Sequence, residues 1–331
     1  MHETIGVRSS LLLLILVGVS GWAESATQQS CLLDQLESAT AETTVAQLRA
    51  ACEMEDSARV TELPAPAAPP SLFDTRMRSE FDTMGRPFVI TPHHPNYMLP
   101  LTYNSKVNQA SVEPLGFDEP LDKEEVKFQI SIKMPLWREI FHPTNDLLFA
   151  FTGIAWWQAF NEGFSEPFRE SNYEPEVIFR HYGGPRILGL RVTGFDLGFN
   201  HQSNGRSGSL SRSWNRVLGS VMLEKGHVAL GLRAWYRIPE DLGDDENPHM
   251  HRYLGYGQMR AVYAPNRNTF TAMFRPGTEK NAFELTWSYP ISEALRIYAQ
   301  YFNGYGESLV DYNVRTERVG IGVAVNDFLQ R

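Results

Sequence analysis

A histidine, a serine and an asparagine stand at 201, 203 and 215 within Phe199-Asn200-His201-Gln202-Ser203-Asn204-Gly205-Arg206-Ser207-Gly208-Ser209-Leu210-Ser211-Arg212-Ser213-Trp214-Asn215-Arg216. A hydroxyl beside an imidazole is a nucleophile beside its general base, and a carboxamide on the far ring nitrogen fixes the tautomer. His-x-Ser alone is a weak signal. Its surroundings sharpen it. Phe195, Leu197 and Phe199 form the apolar side of an alternating segment, and a period of two carries His201 and Ser203 onto that same side. On the returning segment Asn215 shares parity with Val217, Val221 and Leu223. A hairpin symmetric about Gly208 sets position 201 opposite 215, where Cβ atoms on one face lie about 4.5–5.5 Å apart. Ser203 then lies roughly 6.6 Å of strand rise from His201. A histidine between the two can bond to both.

These groups need strands to hold them, and alternation runs through most of the chain. Val126, Phe128, Ile130, Ile132 and Met134 alternate with Lys127, Gln129, Ser131 and Lys133. Segments 228–238, 283–289, 295–301 and 319–325 repeat the pattern. A soluble sandwich shows the same rhythm, but three features favour an all-β, antiparallel transmembrane β-barrel. Aromatics gather near strand ends. Lys127, Arg233, Arg237, Arg260 and Arg296 sit mid-strand on the polar face, as a polar lumen allows. Short and long connections also take turns. Counting on this rhythm predicts about twelve strands, an even number, with the fifth covering roughly 187–200 and ending at the cell exterior. Polar groups on a lipid-facing wall are costly without a purpose, so the triad is placed where it needs a function.

The N-terminus supports export. Residues 11–19 are apolar with one glycine, preceded by Arg8 and followed by small residues, the layout of a signal peptide over 1–23. Residues 24–58 are expected to form a periplasmic helical hairpin. Its two cysteines, Cys31 and Cys52, are the only ones in the chain. An oxidising compartment favours a disulfide between them, with free thiols or a metal site as alternatives and no histidine cluster nearby. The bridge requires a chain reversal near 40–44. An alanine- and proline-rich linker over 59–72 leads to the barrel at 73–331. The net charge of -9 offers no basic footprint, so nucleic acid is not an expected partner.

From 126 to 327 the chain resembles the outer-membrane phospholipase A family. The resemblance rests on His-x-Ser-Asn-Gly-Arg-Ser at 201–207 and Ser-Arg-Ser-Trp-Asn-Arg at 211–216. It extends to Pro-Phe-Arg-Glu at 167–170, Asn-Tyr-Glu-Pro at 172–175, Gly-Tyr-Gly-Glu-Ser at 304–308 and Asp-Tyr-Asn at 311–313. It implies a twelve-stranded barrel in the outer membrane, hydrolysis of phospholipid acyl esters and activation by homodimerisation. It implies Ser203 as nucleophile, His201 as base and Asn215 as third member, with the Gly205 amide as an oxyanion donor. It also implies Ca2+, held by the Arg206 carbonyl, the Ser211 hydroxyl and, from a partner subunit, the position matching Ser165. The site would face the exterior leaflet. With no carboxylate in that set, calcium binding should be weak and water-rich. Two positions depart from the family pattern: Gly208 replaces an aspartate often found at the loop tip, and Gly153 replaces a dimer-interface glutamine.

Rival readings are a non-enzymatic porin or structural barrel, and a soluble periplasmic esterase. The acidic segment with Glu240, Asp241, Asp244, Asp245, Glu246, His249 and His251 reads as a solvated loop, and His93-His94 as the entry to the first strand.

Overall fold

The computed structural model describes residues 31, 39, 43–52, 71–84, 90–111, 113, 120–164, 167–241, 243 and 245–329. The chain divides into two units, Met1–Ala68 and Pro69–Arg331. The signal peptide expected over 1–23 and most of the linker lie outside the described residues. In the first unit a helix occupies 45–52. Thr44 and Gln47 start it reciprocally: the Thr44 amide donates to Gln47 Oε1 at 2.9 Å, and the Gln47 amide donates to Thr44 Oγ1 at 3.4 Å. Cys31 and Cys52 are joined as a disulfide with Cα atoms 6.0 Å apart. The helix begins where the predicted reversal ends.

The second unit is a closed barrel. Its twelve strands are β1 (Tyr97–Asn104), β2 (Glu124–Arg138), β3 (Asn145–Trp157), β4 (Phe168–Tyr182), β5 (Leu190–Ser203) and β6 (Ser213–Lys225). They continue as β7 (Val228–Ile238), β8 (Gly257–Tyr263), β9 (Thr269–Pro276), β10 (Asn281–Pro290), β11 (Arg296–Tyr305) and β12 (Arg315–Ala324). Each pairs antiparallel with its neighbours, and β12 closes on β1. Two-residue ladders at Thr91–Pro92 and Arg186–Ile187 are added to β2 and β5. Closure leaves no edge, which a strand in hydrocarbon requires. Ile130, Leu197 and Val319 are more than half exposed on the outer wall, a distribution suited to lipid and unfavourable in water. Among the described residues no helix is long and apolar enough to cross a membrane.

Alternation places the charges inside. Glu125 accepts from Arg169 and Arg318 at 2.6 Å each, and Arg169 reaches Asp311 at 2.5 Å. Lys127 and Arg318 both reach Glu307, at 2.9 and 3.0 Å. Cavities of about 190 and 90 Å³ remain. A packed, ion-paired lumen of this kind is a poor match for the wide bore of a porin.

One inward element was not legible as such in the sequence. Helix α1 (Leu72–Met84) begins at the linker's end and packs against inward-facing residues of the barrel, Phe73 beside Ala229 and Val262 and Glu80 beside Lys133 and Arg180. It carries Phe73, Arg76 and Glu80 on its buried face. Arg76 bonds Glu80 at 2.8 Å and the Phe328 carbonyl at 2.7 Å. Lys133 Nζ, fully buried on β2, lies 2.7 Å from Glu80 Oε2, though off the line of a hydrogen bond. Burial opposes the Glu80 charge, but Lys133, Arg76 and Arg180 outweigh it and hold the carboxyl well below the usual range. Because this helix buries charges where most helices bury leucines, an apolar stripe could not announce it.

Replacing Glu80 by alanine should destabilise the barrel by roughly 3–5 kcal/mol, because Lys133 is left buried and unpaired; denaturant unfolding in detergent measures it. Burial would raise the Glu307 carboxyl, yet Arg318 and Lys127 hold it at about 2. A depressed carboxylate contributes fully above its unfolded value and is lost as pH falls through its folded one. Stability should therefore decline from about pH 4 toward pH 2, and Glu307→Gln should weaken that decline.

Candidate active site

The β5–β6 ladder runs unbroken from Phe195↔Val221 to Ser203↔Ser213 and includes His201↔Asn215. The histidine and asparagine are therefore cross-strand neighbours, as symmetry about Gly208 required. His201, Ser203 and Asn215 share parity with Phe195, Leu197, Phe199 and Val217, all exposed on the outer wall. The intervening positions turn inward and lock the register. Asn200 donates to Glu174 at 2.7 Å and accepts from Arg216 at 2.9 Å. Trp214 Nε1 donates to Gln202 at 2.8 Å, and the Arg216 guanidinium lies 4.0 Å from the Trp214 ring centroid. Slipping by one residue would break this network and drive Arg216 into lipid.

On the outer face His201 Nδ1 is 2.9 Å from Asn215 Oδ1. An amide oxygen only accepts, so the ring carries its proton on Nδ1 and presents Nε2 as a base. The Ser203 hydroxyl accepts from the Gly205 amide at 3.3 Å. Among the described residues no hydrogen bond links His201 to Ser203. The expected three-part chain thus has one link formed, and the hydroxyl rests on the amide instead. Gly205 adopts φ +65°, and a Cβ there would lie 3.3 Å from the Tyr173 ring. Both facts favour glycine at this amide. Tyr173 itself pairs with Ser203 across β4–β5.

Asn204, buried, organises the loop that follows. Its amide nitrogen donates to the Leu210 carbonyl at 2.8 Å, and its oxygen accepts from the Arg212 and Arg206 amides at 3.0 and 3.3 Å. The Arg206 side chain is tied to Glu170 at 3.2 Å and to the Arg169 carbonyl at 2.5 Å. The Arg206 carbonyl and Ser211 hydroxyl take no hydrogen bond among the described residues. They are oxygen donors left open on a loop closed at its base by the Asn204–Arg212 backbone bond. That fits a hard cation with water completing its shell. Ser165 lies outside the described residues. Gly208, with φ +65° and open space at its Cβ position, contributes no side-chain ligand.

A second ligand-like cluster, His93, His94 and Glu176, lies in the lumen with its donor atoms within 4.8 Å of one another. Glu176 is engaged by His93 at 3.0 Å and by Arg233. With Arg233 on the carboxylate and Lys133, Arg180 and Arg76 acting on His93, a further cation is electrostatically unwelcome. The pair sits where the sequence placed it, at the entry to β1.

One residue of this neighbourhood was missed. Asn215 Nδ2 donates to Glu240 Oε1 at 3.2 Å. The sequence alone reads Glu240 as part of a solvated acidic loop, and the structure instead sets it beside Asn215. The available signal was parity: Ile238 pairs with Asn215, and Glu240 is two residues further on.

A family model described as Phospholipase A1 matches residues 73–325. The phospholipase A1 of Escherichia coli strain K12 is 38% identical over 265 residues, covering 80% of this chain and 89% of that protein. The Salmonella typhi outer membrane phospholipase, solved as a dimer with bound calcium, has a TM-score of 0.71 at 37% identity, covering 75% of this chain and 97% of that one. An active-site mutant of outer membrane phospholipase A from Escherichia coli, with an asparagine replaced by alanine, has a TM-score of 0.70 at 37% identity, covering 73% and 94%.

Removing the Asn204 carboxamide should cost its loop about 1–3 kcal/mol of local stability. The Asn204→Ala variant is expected to show amide exchange across 205–212 accelerated by about ten- to a hundredfold, with protection in the barrel strands unchanged.

Proposed function

Since the chain belongs to the phospholipase A1 family, we propose that it hydrolyses phospholipid acyl esters with Ser203 as nucleophile, His201 as general base and Asn215 as the group that orients the base. The observation that carries this reading is the His201–Asn215 hydrogen bond, made on the lipid-facing wall with Ser203 two residues away on the same face. An asparagine was also the residue replaced in the Escherichia coli active-site mutant.

Rotation of the Ser203 side chain toward His201 Nε2 forms the transfer contact, which resting sites often lack. His201 takes the hydroxyl proton as Oγ attacks the ester carbonyl. The Gly205 amide, released from Oγ, donates to the oxygen that becomes negative. His201 then returns its proton to the departing lysophospholipid alcohol. Water, activated the same way, frees the fatty acid and restores Ser203. Asn215 carries no charge, so it fixes the tautomer without the ionic help an aspartate gives the imidazolium.

Calcium, when bound, supplies positive charge where the oxyanion develops, and the Arg206 carbonyl and Ser211 hydroxyl would hold it. The Salmonella typhi relative was solved with bound calcium, which supports this reading. With Gly208 at the loop tip and neutral ligands only, affinity should be low. That relative is also a dimer, and we assign the active state here to a homodimer in the outer membrane, the site facing the exterior leaflet. Ser165 of the opposing loop is the candidate ligand across that interface. Gly153 supports a close, flat contact: it pairs with Tyr173 and sets no side chain beside the half-buried Phe151 ring.

In detergent–phospholipid mixed micelles, Ser203→Ala should lower the rate at least about a thousandfold while the barrel stays folded. Retained activity would dismiss the mechanism. A calcium chelator should abolish wild-type hydrolysis, with recovery on adding calcium in excess; indifference to chelation would remove the metal from the scheme.

A further inference from the structure

The triad of this chain ends on a neutral amide, and a carboxylate stands behind it. We infer that Glu240 is a positioning residue that fixes the orientation of the Asn215 carboxamide and leaves its negative charge within reach of the site; this rests on the triad reading above.

The placement follows from the fold. Asn215 pairs with Ile238 at the end of β7. Pro239 has no amide hydrogen and cannot extend the ladder, and the chain leaves the strand with Glu240 on the Asn215 side. Asn215 Nδ2 then donates to Glu240 Oε1 at 3.2 Å while Asn215 Oδ1 engages His201 at 2.9 Å. A carboxamide is nearly symmetric in shape, and its two ends differ only in hydrogen bonding. With Glu240 on one side, a flipped amide would set its oxygen against a carboxylate and its N–H groups against the ring N–H. Only one orientation satisfies both neighbours, and it is the one that leaves Nε2 free as the base.

Glu240 is only loosely engaged elsewhere. Among the described residues its ion-pair partner is Arg237, whose guanidinium is 4.0 Å away and already bonded to Asp245 at 2.6 Å and the Asn247 carbonyl at 2.9 Å. A carboxylate polarising an amide that in turn accepts from an imidazole strengthens both bonds of the chain. The site thereby gains at second hand part of what an aspartate would supply directly. Glu240 is set two strands away from Ser203, on the far side of β6, so it should act on turnover rather than on substrate affinity.

Six variants test this in mixed micelles, each checked for a folded barrel by heat-modifiable gel migration. Glu240→Ala should lower kcat by about tenfold, the range seen when a bond supporting an imidazole's orientation is lost, with KM unchanged. Glu240→Gln, which keeps an acceptor, should retain most of the turnover. The decisive readout is a change of sign in the N215D background. There the substituted carboxylate no longer needs orienting and meets Glu240 as a like charge, so N215D/E240Q should be several-fold faster than N215D alone. Equal losses in both backgrounds would mark Glu240 as merely structural and overturn the inference. Wild-type kcat in Glu240→Ala alongside a loss in Asn215→Ala would sink it alone. Activity retained in Asn215→Ala or Ser203→Ala would sink the triad and this inference together.

Discussion

The period of two along β5 and β6 is the constraint on which the rest depends. It sends His201, Ser203 and Asn215 outward and Asn200, Gln202, Trp214 and Arg216 inward from the same two strands. The inward set builds a hydrogen-bonded network with Glu174, and that network cannot be moved by one residue without exposing a guanidinium to hydrocarbon. Register and the proposed catalysis are therefore one problem. The polar lumen holds the ladder in place, and the outer wall uses the resulting geometry.

The lumen is accordingly a structural core made of charge. Glu125, Arg169, Asp311, Glu307, Arg318 and Lys127 satisfy one another, and Arg76 and Glu80 of α1 add a further set with Lys133. In a soluble protein such a core would be expensive beside an apolar one. Here the apolar surface is already committed to lipid, so alternation leaves polar side chains for the interior. A wall stiffened from inside can carry an exposed active site on its outside without a cleft.

The loop over 204–212 converts that stiffness into site geometry. Asn204 closes it, Arg206 anchors it to β4, and the left-handed turns at Gly205 and Gly208 aim its backbone. Its open oxygens are neutral, which suits weak binding of calcium. In the proposed mechanism the charge an aspartate would give has two substitutes of different origin, a cation held by this loop and Glu240 behind Asn215.

The amino-acid sequence alone determined the barrel, its strand number, the pairing of 201 with 215 and the face on which they lie. All of these follow from a two-residue period and a hairpin centre, which are local properties. It could not reveal α1 as an inward element, because Arg76 and Glu80 find their partners on strands far along the chain. Nor could it reveal that Ser203 rests on the Gly205 amide, because a side-chain rotamer in a turn is set by its surroundings, while strand parity pointed toward Glu240 without fixing its bond to Asn215. The α1 contacts with Lys133, Arg180 and Phe328 join segments that meet only when the barrel closes. Closure is a global event, and side chains brought together by it carry no mark of one another in the linear order.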